Sequence, residues 1–267
     1  MTVITRITTQ KKHHGRFNVY IDRGQGEEFG FGISEDVLVA FALSKGKEID
    51  EDELKEIIFE DEIKTAFNLA VNFLSYRMRS EKEMQDYLRK KDIRSDVIDR
   101  VMDRLKQQHY VDDIEFAKAF VESRKRTSSK GPAVIFQELQ KKGVPESSIM
   151  KALEGFSFEE QVTTAARFAE KQAKRYRNKS TREMQQAIMQ TLMGKGFDRD
   201  VIETAVHQIA FEKDEDEEWQ ALVVQAEKAH RKYKKYEKPE YEQRMKQHLY
   251  RKGFPFAMIE RYLEGRE

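Results

Sequence analysis

The chain has 267 residues, 39% hydrophobic and 36% charged, and its 49 Lys+Arg against 48 Asp+Glu leave a formal charge of +1. Soluble domains usually carry ~25% charged residues; the thin apolar share favours a body with much surface per residue, and the balanced charge excludes both a uniformly basic nucleic-acid coat and an acidic tail protein. Zero cysteine excludes disulfides, thiolate metal sites and a cysteine nucleophile, and no apolar run approaches the ~18 residues of a membrane span, nor does Met1–Gln10 hold a signal-peptide core, so a cytoplasmic protein with no membrane partner is expected.

Ile4, Arg6 and Thr8, then Phe17, Val19 and Ile21, alternate at period two, which predicts two strands joined at Gly15. Gly24-Gln25-Gly26 marks the next turn and Glu28–Ile33 a third strand. Ser34-Glu35-Asp36 starts a helix carrying Val37, Leu38, Phe41 and Ala42, and Asp50 caps another over Glu51–Phe59. Residues 1–61 thus form a small antiparallel β plus α domain, too small to be sure of standing alone.

From residue 62 the period becomes helical and the chain repeats itself. Met84–Leu105, Ile135–Phe156, Ile188–Ile209 and Met245–Arg266 align without a gap. Each carries a Leu (Leu88, Leu139, Leu192, Leu249) and, three residues on, a Lys (Lys91, Lys142, Lys195, Lys252). Asp92, Gly143, Gly196 or Gly253 follows, then an apolar residue. Apolar stripes such as Ala66, Leu69, Ala70, Phe73 and Leu74 precede each block on one helical face. The pattern predicts four three-helix repeats, over 62–112, 113–157, 158–211 and, behind an acidic linker, 212–267. The second helix of each ends at the glycine, which accepts the left-handed conformation of a helix C-terminus. Ser80-Glu81-Lys82-Glu83 and Ser180-Thr181-Arg182-Glu183 match the capping box, and Pro132, Pro145, Pro239 and Pro255 all fall at helix starts. The expected fold is mostly α: tandem three-helix repeats in an elongated array that buries its stripes by stacking, with the N-terminal β-rich domain attached.

A basic segment recurs between the first and second helix of every repeat. The copies are Arg77-Met78-Arg79, Arg124-Lys125-Arg126, Lys174-Arg175-Tyr176-Arg177 and Arg231-Lys232-Tyr233-Lys234-Lys235-Tyr236, while acids gather in 34–62 and 212–218. One such cluster is the ordinary cationic end of a helix. Four at equivalent positions would form a row suited to phosphates and bases, or to an acidic protein groove. The candidate partner-binding residues are Arg77, Arg79, Arg124, Lys125, Arg126, Lys174, Arg175, Arg177, Arg231 and Lys234. Replacing Arg77, Arg79, Arg124 and Arg126 by Ala is expected to weaken binding and leave the helices intact. Catalytic constellations are missing: the sequence has no phosphate-binding glycine loop, HExxH, nucleophile elbow or EF-hand spacing. His13-His14 suits a solvated turn, His109, His207, His230 and His248 are scattered, and Asp112-Asp113 suits a helix cap. No catalytic residue, metal or cofactor is expected.

Leu74-Ser75-Tyr76-Arg77-Met78-Arg79-Ser80, with Glu83-Met84 and Tyr87-Leu88-Arg89-Lys90-Lys91, resembles the first repeat of the RecX family. Tyr110-Val111-Asp112-Asp113, Phe116-Ala117, Phe120-Val121, Arg124, Lys130-Gly131 and Glu138–Val144 resemble its second; Lys130 thereby joins the candidate set. The likeness continues more weakly to residue 267, and residues 1–61 resemble the extension of the longer members from Gram-positive bacteria. Asp92 departs from the family, which usually has Gly there. The resemblance implies a non-enzymatic regulator that lodges in the groove of the RecA–DNA filament and inhibits its ATPase and strand exchange, or promotes disassembly. Its partners would be the RecA filament and single- or double-stranded DNA, touched directly or through that filament. A monomer acting in SOS-linked repair by homologous recombination is expected. A direct single-stranded nucleic-acid binder remains the alternative, and an enzyme comes last.

Overall fold

The computed structural model describes residues 1–11, 15–209 and 213–265. Lys12, the His13-His14 pair, Glu212 of the acidic run and Arg266 lie outside the described residues.

The N-terminal part is an antiparallel sheet of β1 (Thr2–Thr9), β2 (Arg16–Asp22), β3 (Glu27–Ser34) and the short β4 (Glu48–Ile49), in the order β3-β2-β1-β4. The alternation expected along β1 breaks after Ile4. A register shift between Ile4 and Arg6 lets Ile4 face Ile21 and Ile7 face Val19, so Ile7 packs on the core. Arg6 instead lies over the Tyr20 ring at 4.1 Å and pairs with Glu27 on the exposed face. One extra residue in a strand inverts everything after it. The helix after β3, α1 (Glu35–Ala40), is shorter than expected. It stops before Ala42, which takes a left-handed φ of 45°.

The helix capped by Asp50 is α2 (Glu51–Leu74), and it does not stop at Phe59. No Gly or Pro stands between Glu51 and Leu74, so one helix serves two cores. Ile57 and Leu54 join Ile4, Val19, Ile21 and Ile33 over the sheet. Ile63, Ala66 and Ala70 join Met84, Leu88, Val101 and Leu105 of the first repeat. Buried Asp61 sits at the changeover and accepts from Arg16 (2.6 Å) and from the Ser34 N–H (2.7 Å). The boundary expected at 61/62 therefore falls inside a helix.

Among the described residues, eleven further helices complete the repeats. They are α3 (Glu81–Arg89) and α4 (Ser95–Gln107); α5 (Asp113–Thr127), α6 (Pro132–Lys141) and α7 (Glu146–Leu153); α8 (Phe158–Arg175), α9 (Thr181–Gly194) and α10 (Arg199–Gln208); and α11 (Glu215–Tyr233), α12 (Lys238–Arg251) and α13 (Phe256–Glu264). Two compact units result: Met1–Phe116 with Lys142–Pro145, and Ala117–Lys141 with Glu146–Glu267. The turn after each second helix is left-handed, with φ of 58° at Asp92, 77° at Gly143, 85° at Gly196 and 87° at Gly253. Aspartate tolerates that conformation better than most residues, so the family departure at Asp92 leaves the turn intact. Ser80 and Glu83 form the complete capping box. Ser180 caps only one way: it accepts from the Glu183 N–H at 3.1 Å, while the Glu183 carboxylate is taken by Lys179 and Lys252. Ser157 and Glu160 form a box not anticipated from the sequence.

The repeated Lys-Gly turn has a specific seat, the N-terminus of another second helix. Within the first unit the Ser80 hydroxyl donates to the Lys142 carbonyl at 2.7 Å. Within the second, the Ser180 hydroxyl donates to the Lys252 carbonyl and the Gly131 N–H to the Lys195 carbonyl at 2.8 Å. The first helical N–H of α3 goes to buried Asp113 (2.9 Å) and that of α9 to buried Glu218 (3.1 Å). At α6 the first residue is Pro132, which has no N–H to satisfy. Contact there is so close that a Cβ on Gly131 would lie 2.3 Å from the Gly196 oxygen.

Candidate functional site

The candidate cations fall into two chemical states. After α2, Arg77 forms a forked pair with Glu83, both contacts 3.0 Å, and donates to the Met78 carbonyl at 2.8 Å. Lys142 reaches the same carboxylate at 2.7 Å. Burial alone would raise Glu83, but these two cations outweigh it and hold the carboxyl at about 2. Arg79 lies 4.0 Å over Phe73, whose ring stacks on Tyr87 at 3.9 Å. Burial, reinforced by Arg77, lowers the Arg79 guanidinium from its usual value. After α5, Arg124 pairs with Glu138 at 2.8 Å and covers Phe120 at 4.6 Å, and Lys130 pairs with the other oxygen of Glu138. Glu138 is lowered because these cations overcome the opposing effect of burial. Lys125 is only 10% exposed and bridges Glu122 (2.7 Å) and Glu160 (2.9 Å). Arg126 alone in this group is exposed, donating to the Glu122 carbonyl at 3.4 Å with no carboxylate partner among the described residues.

After α8 and α11 the picture reverses. Lys174, Arg175, Arg177, Arg231 and Lys234 are exposed, and none has a carboxylate partner among the described residues. Lys179, rather than any of the three cations before it, takes Glu183. The backbone of this turn is nonetheless held firmly. Half-buried Lys213 donates to the carbonyls of Arg177 (2.8 Å) and Lys179, and Gln225 donates to that of Asn178 at 2.6 Å. Burial lowers the Lys213 ammonium, with Glu218 at 3.7 Å opposing. After α11 the tyrosines are stacked with cations: Lys232 on Tyr233 at 5.3 Å, Lys235 on Tyr236 at 5.2 Å and Arg244 on Tyr236 at 4.1 Å.

Comparisons with known proteins bear directly on this repeat plan. Residues 2–50 match the regulatory protein RecX N-terminal domain, 66–105 the first RecX three-helix domain and 112–153 the second. The third three-helix domain matches twice, at 159–206 and 215–263. A regulatory protein RecX of Geobacillus sp. (strain WCH70) is 47% identical over 99% of this chain and 97% of its own. That of Bacillus subtilis (strain 168) is 45% identical over 100% of both. The chain belongs to the RecX family. A crystal structure of regulatory protein RecX superposes with a TM-score of 0.66 at 34% identity, over 76% of this chain and 98% of that one. RecX from Lactobacillus salivarius does so with 0.54 at 37% identity, over 56% and 97%.

The double match of the third domain says that the two RecX repeats with unpaired cations are variants of one module. It also fits their shared turn chemistry: a helix ending in Lys174-Arg175 or His230-Arg231-Lys232, followed by further cations. Among the described residues no cluster of His, Cys, Asp or Glu is placed to hold a metal, and no helix is long and apolar enough to cross a membrane. Asp112 caps α5, accepting from Ile114 (2.7 Å) and Glu115 (3.1 Å), while Asp113 turns to α3. Sequence reasoning passed over Lys142, Lys195, Lys252 and Lys213. The first three were visible as an invariant place in the repeat; their role shows only in the seat they occupy.

Proposed function

We propose that this chain is a non-enzymatic regulator that binds the RecA–DNA filament along its groove and inhibits recombinase and ATPase activity or promotes disassembly. It would act as a cytoplasmic monomer in SOS-linked DNA repair. The observation that carries this is the set of exposed, unpaired cations at the turns after α8 and α11, in a chain whose relatives are named regulatory proteins. Cations left without internal partners suit a polyanionic target, and separate modules engaging one filament gain avidity from linkage. Cosedimentation with RecA filaments on single-stranded DNA, run beside an ATPase assay, tests it. Binding with a reduced ATPase rate is expected; neither binding nor any change in rate would overturn it.

A second reading is direct single-stranded nucleic-acid binding, supported by the cation-stacked pair Tyr233 and Tyr236. It expects binding without RecA and a log–log salt slope near −0.7 per phosphate contact.

A further inference from the structure

We infer that the cleft between α8, α9 and α11 is a subsite for one nucleotide of a single strand, with Lys174 and Arg177 on the phosphate and the base inside. This rests on, and sharpens, the reading that the chain touches nucleic acid directly. The cleft has a volume of about 710 Å³, within the ~300–1,000 Å³ of ligand pockets. Its walls divide by chemistry. Lys174 and Arg177 supply cations, Ala221 and Val224 an apolar surface, and Gln220 and Glu217 polar groups.

Three features point to a nucleotide. The two cations have no carboxylate partner among the described residues, so a phosphate displaces only water from them. Lys174 lies in the last turn of α8, and the backbone at Arg177 is already held by Lys213 and, one residue on, by Gln225, so binding orders little more than two side chains. Lys213 itself is spent on carbonyls and Glu218 and is a positioning residue here. The apolar wall, with polar groups beside it, matches a base, whose faces are apolar and whose edges hydrogen-bond. A carboxylate can only accept, so Glu217 favours a base with an exocyclic amino group. Cytosine carries one and thymine does not.

The test uses the full chain without RecA and fluorescein-labelled oligo-dC and oligo-dT of equal length, read by anisotropy across a salt series. Oligo-dC should bind severalfold tighter. Val224→Trp fills the cleft and should weaken oligo-dC about tenfold at unchanged salt slope. Lys174→Gln with Arg177→Gln removes one phosphate contact and should lessen the slope by about 0.7. If Val224→Trp fails to fold by thermal melt, Glu217→Gln, an exposed change, should abolish the dC preference. Equal binding of the two oligonucleotides by the parent overturns the subsite, as does parental affinity in a folded Val224→Trp. Equal displacement by an acidic peptide of Asp, Glu and Leu does so as well. Failure of the oligonucleotide predictions alongside intact filament inhibition sinks this inference alone; the predicted oligonucleotide behaviour without any effect on filaments sinks the filament proposal alone.

Discussion

In the turns after α2 and α5 all the candidate cations but two face glutamates: Arg77 meets Glu83, Arg124 and Lys130 share Glu138, and Lys125 bridges Glu122 and Glu160, while Arg79 lies on Phe73 and Arg126 is exposed. In the turns after α8 and α11, Lys174, Arg175, Arg177, Arg231 and Lys234 face solvent. The same residue types at the same place in the repeat thus do two jobs. A cation with a carboxylate beside it holds the turn and the helix cap together, and a ligand would have to displace that carboxylate first. A cation without one is available as it stands. The divide follows the family matches, since the two free turns belong to the two copies of the third domain.

The comparison can be broken at the backbone before any charge is touched. Gly196→Ala meets a φ of 85° and places its Cβ 2.5 Å from the Val134 nitrogen. It is expected to cost about 3 kcal/mol, strain and overpacking together, read as a lower unfolding midpoint in urea. A loss under 1 kcal/mol would mean that the Lys-Gly turn sits loosely on α6. Next comes Glu83→Gln, which leaves Arg77 and Lys142 without their shared carboxylate. The folded carboxyl lies at about 2, below its ordinary 4.5. Its contribution is therefore fully present above pH 4.5 and is lost as pH falls from there toward 2. Screening at half-exposed Arg77 brings the expected effect to about 2 kcal/mol at pH 7. Parent and variant should converge in stability near pH 2; a constant gap across that window would show that the charge is not what matters.

Much of the fold was legible in the residues. Leu88, Leu139, Leu192 and Leu249 are all buried, and three glycines and Asp92 take the left-handed turn that their spacing called for. What was hidden depends on a single residue of register or on partners remote in the chain. The bulge at Ile4–Arg6 leaves no mark in composition, so alternation counted from Ile4 puts the phase of β1 one step out beyond it. The pattern ends at Phe59 while helix α2 runs on to Leu74, because its apolar stripe turns from one core to the other near Asp61 and a change of stripe looks like an end. The candidate site was legible as positions but not as states. Glu138 is 14 residues from Arg124, Glu160 is 35 from Lys125, and Lys142 is 59 from Glu83. Helical periodicity does not report on pairs at such separations.

A smaller effect is expected where stacking takes the place of an ion pair. Arg79→Ala uncovers Phe73 and should cost about 1 kcal/mol. Arg124→Ala, which frees half of Glu138 and uncovers Phe120, should cost a similar amount. Heat unfolding of the single variants measures both. Together with Arg77, these residues make the quadruple alanine change at Arg77, Arg79, Arg124 and Arg126 a poor probe of binding, because three of its four sites brace the turn.

The smallest effect on stability, and the most informative on function, belongs to the free set. Replacing Lys174, Arg175, Arg177, Arg231 and Lys234 together by Gln removes no ion pair among the described residues and should leave the unfolding midpoint within about 0.5 kcal/mol of the parent. If these cations meet phosphates, oligonucleotide or filament affinity should fall, and the log–log salt slope should shrink by up to about 3.5 if each of the five meets a phosphate of its own, and by about 2.8 if Lys174 and Arg177 share one. Single Gln changes at Arg77 or Lys125 should leave that slope where it was, because those charges are already balanced by Glu83, Glu122 and Glu160. Equal slopes for the two sets would erase the distinction between them. A slope that moves only with Arg77 and Lys125 would invert it, since a ligand would then be shown to take the paired cations away from their glutamates.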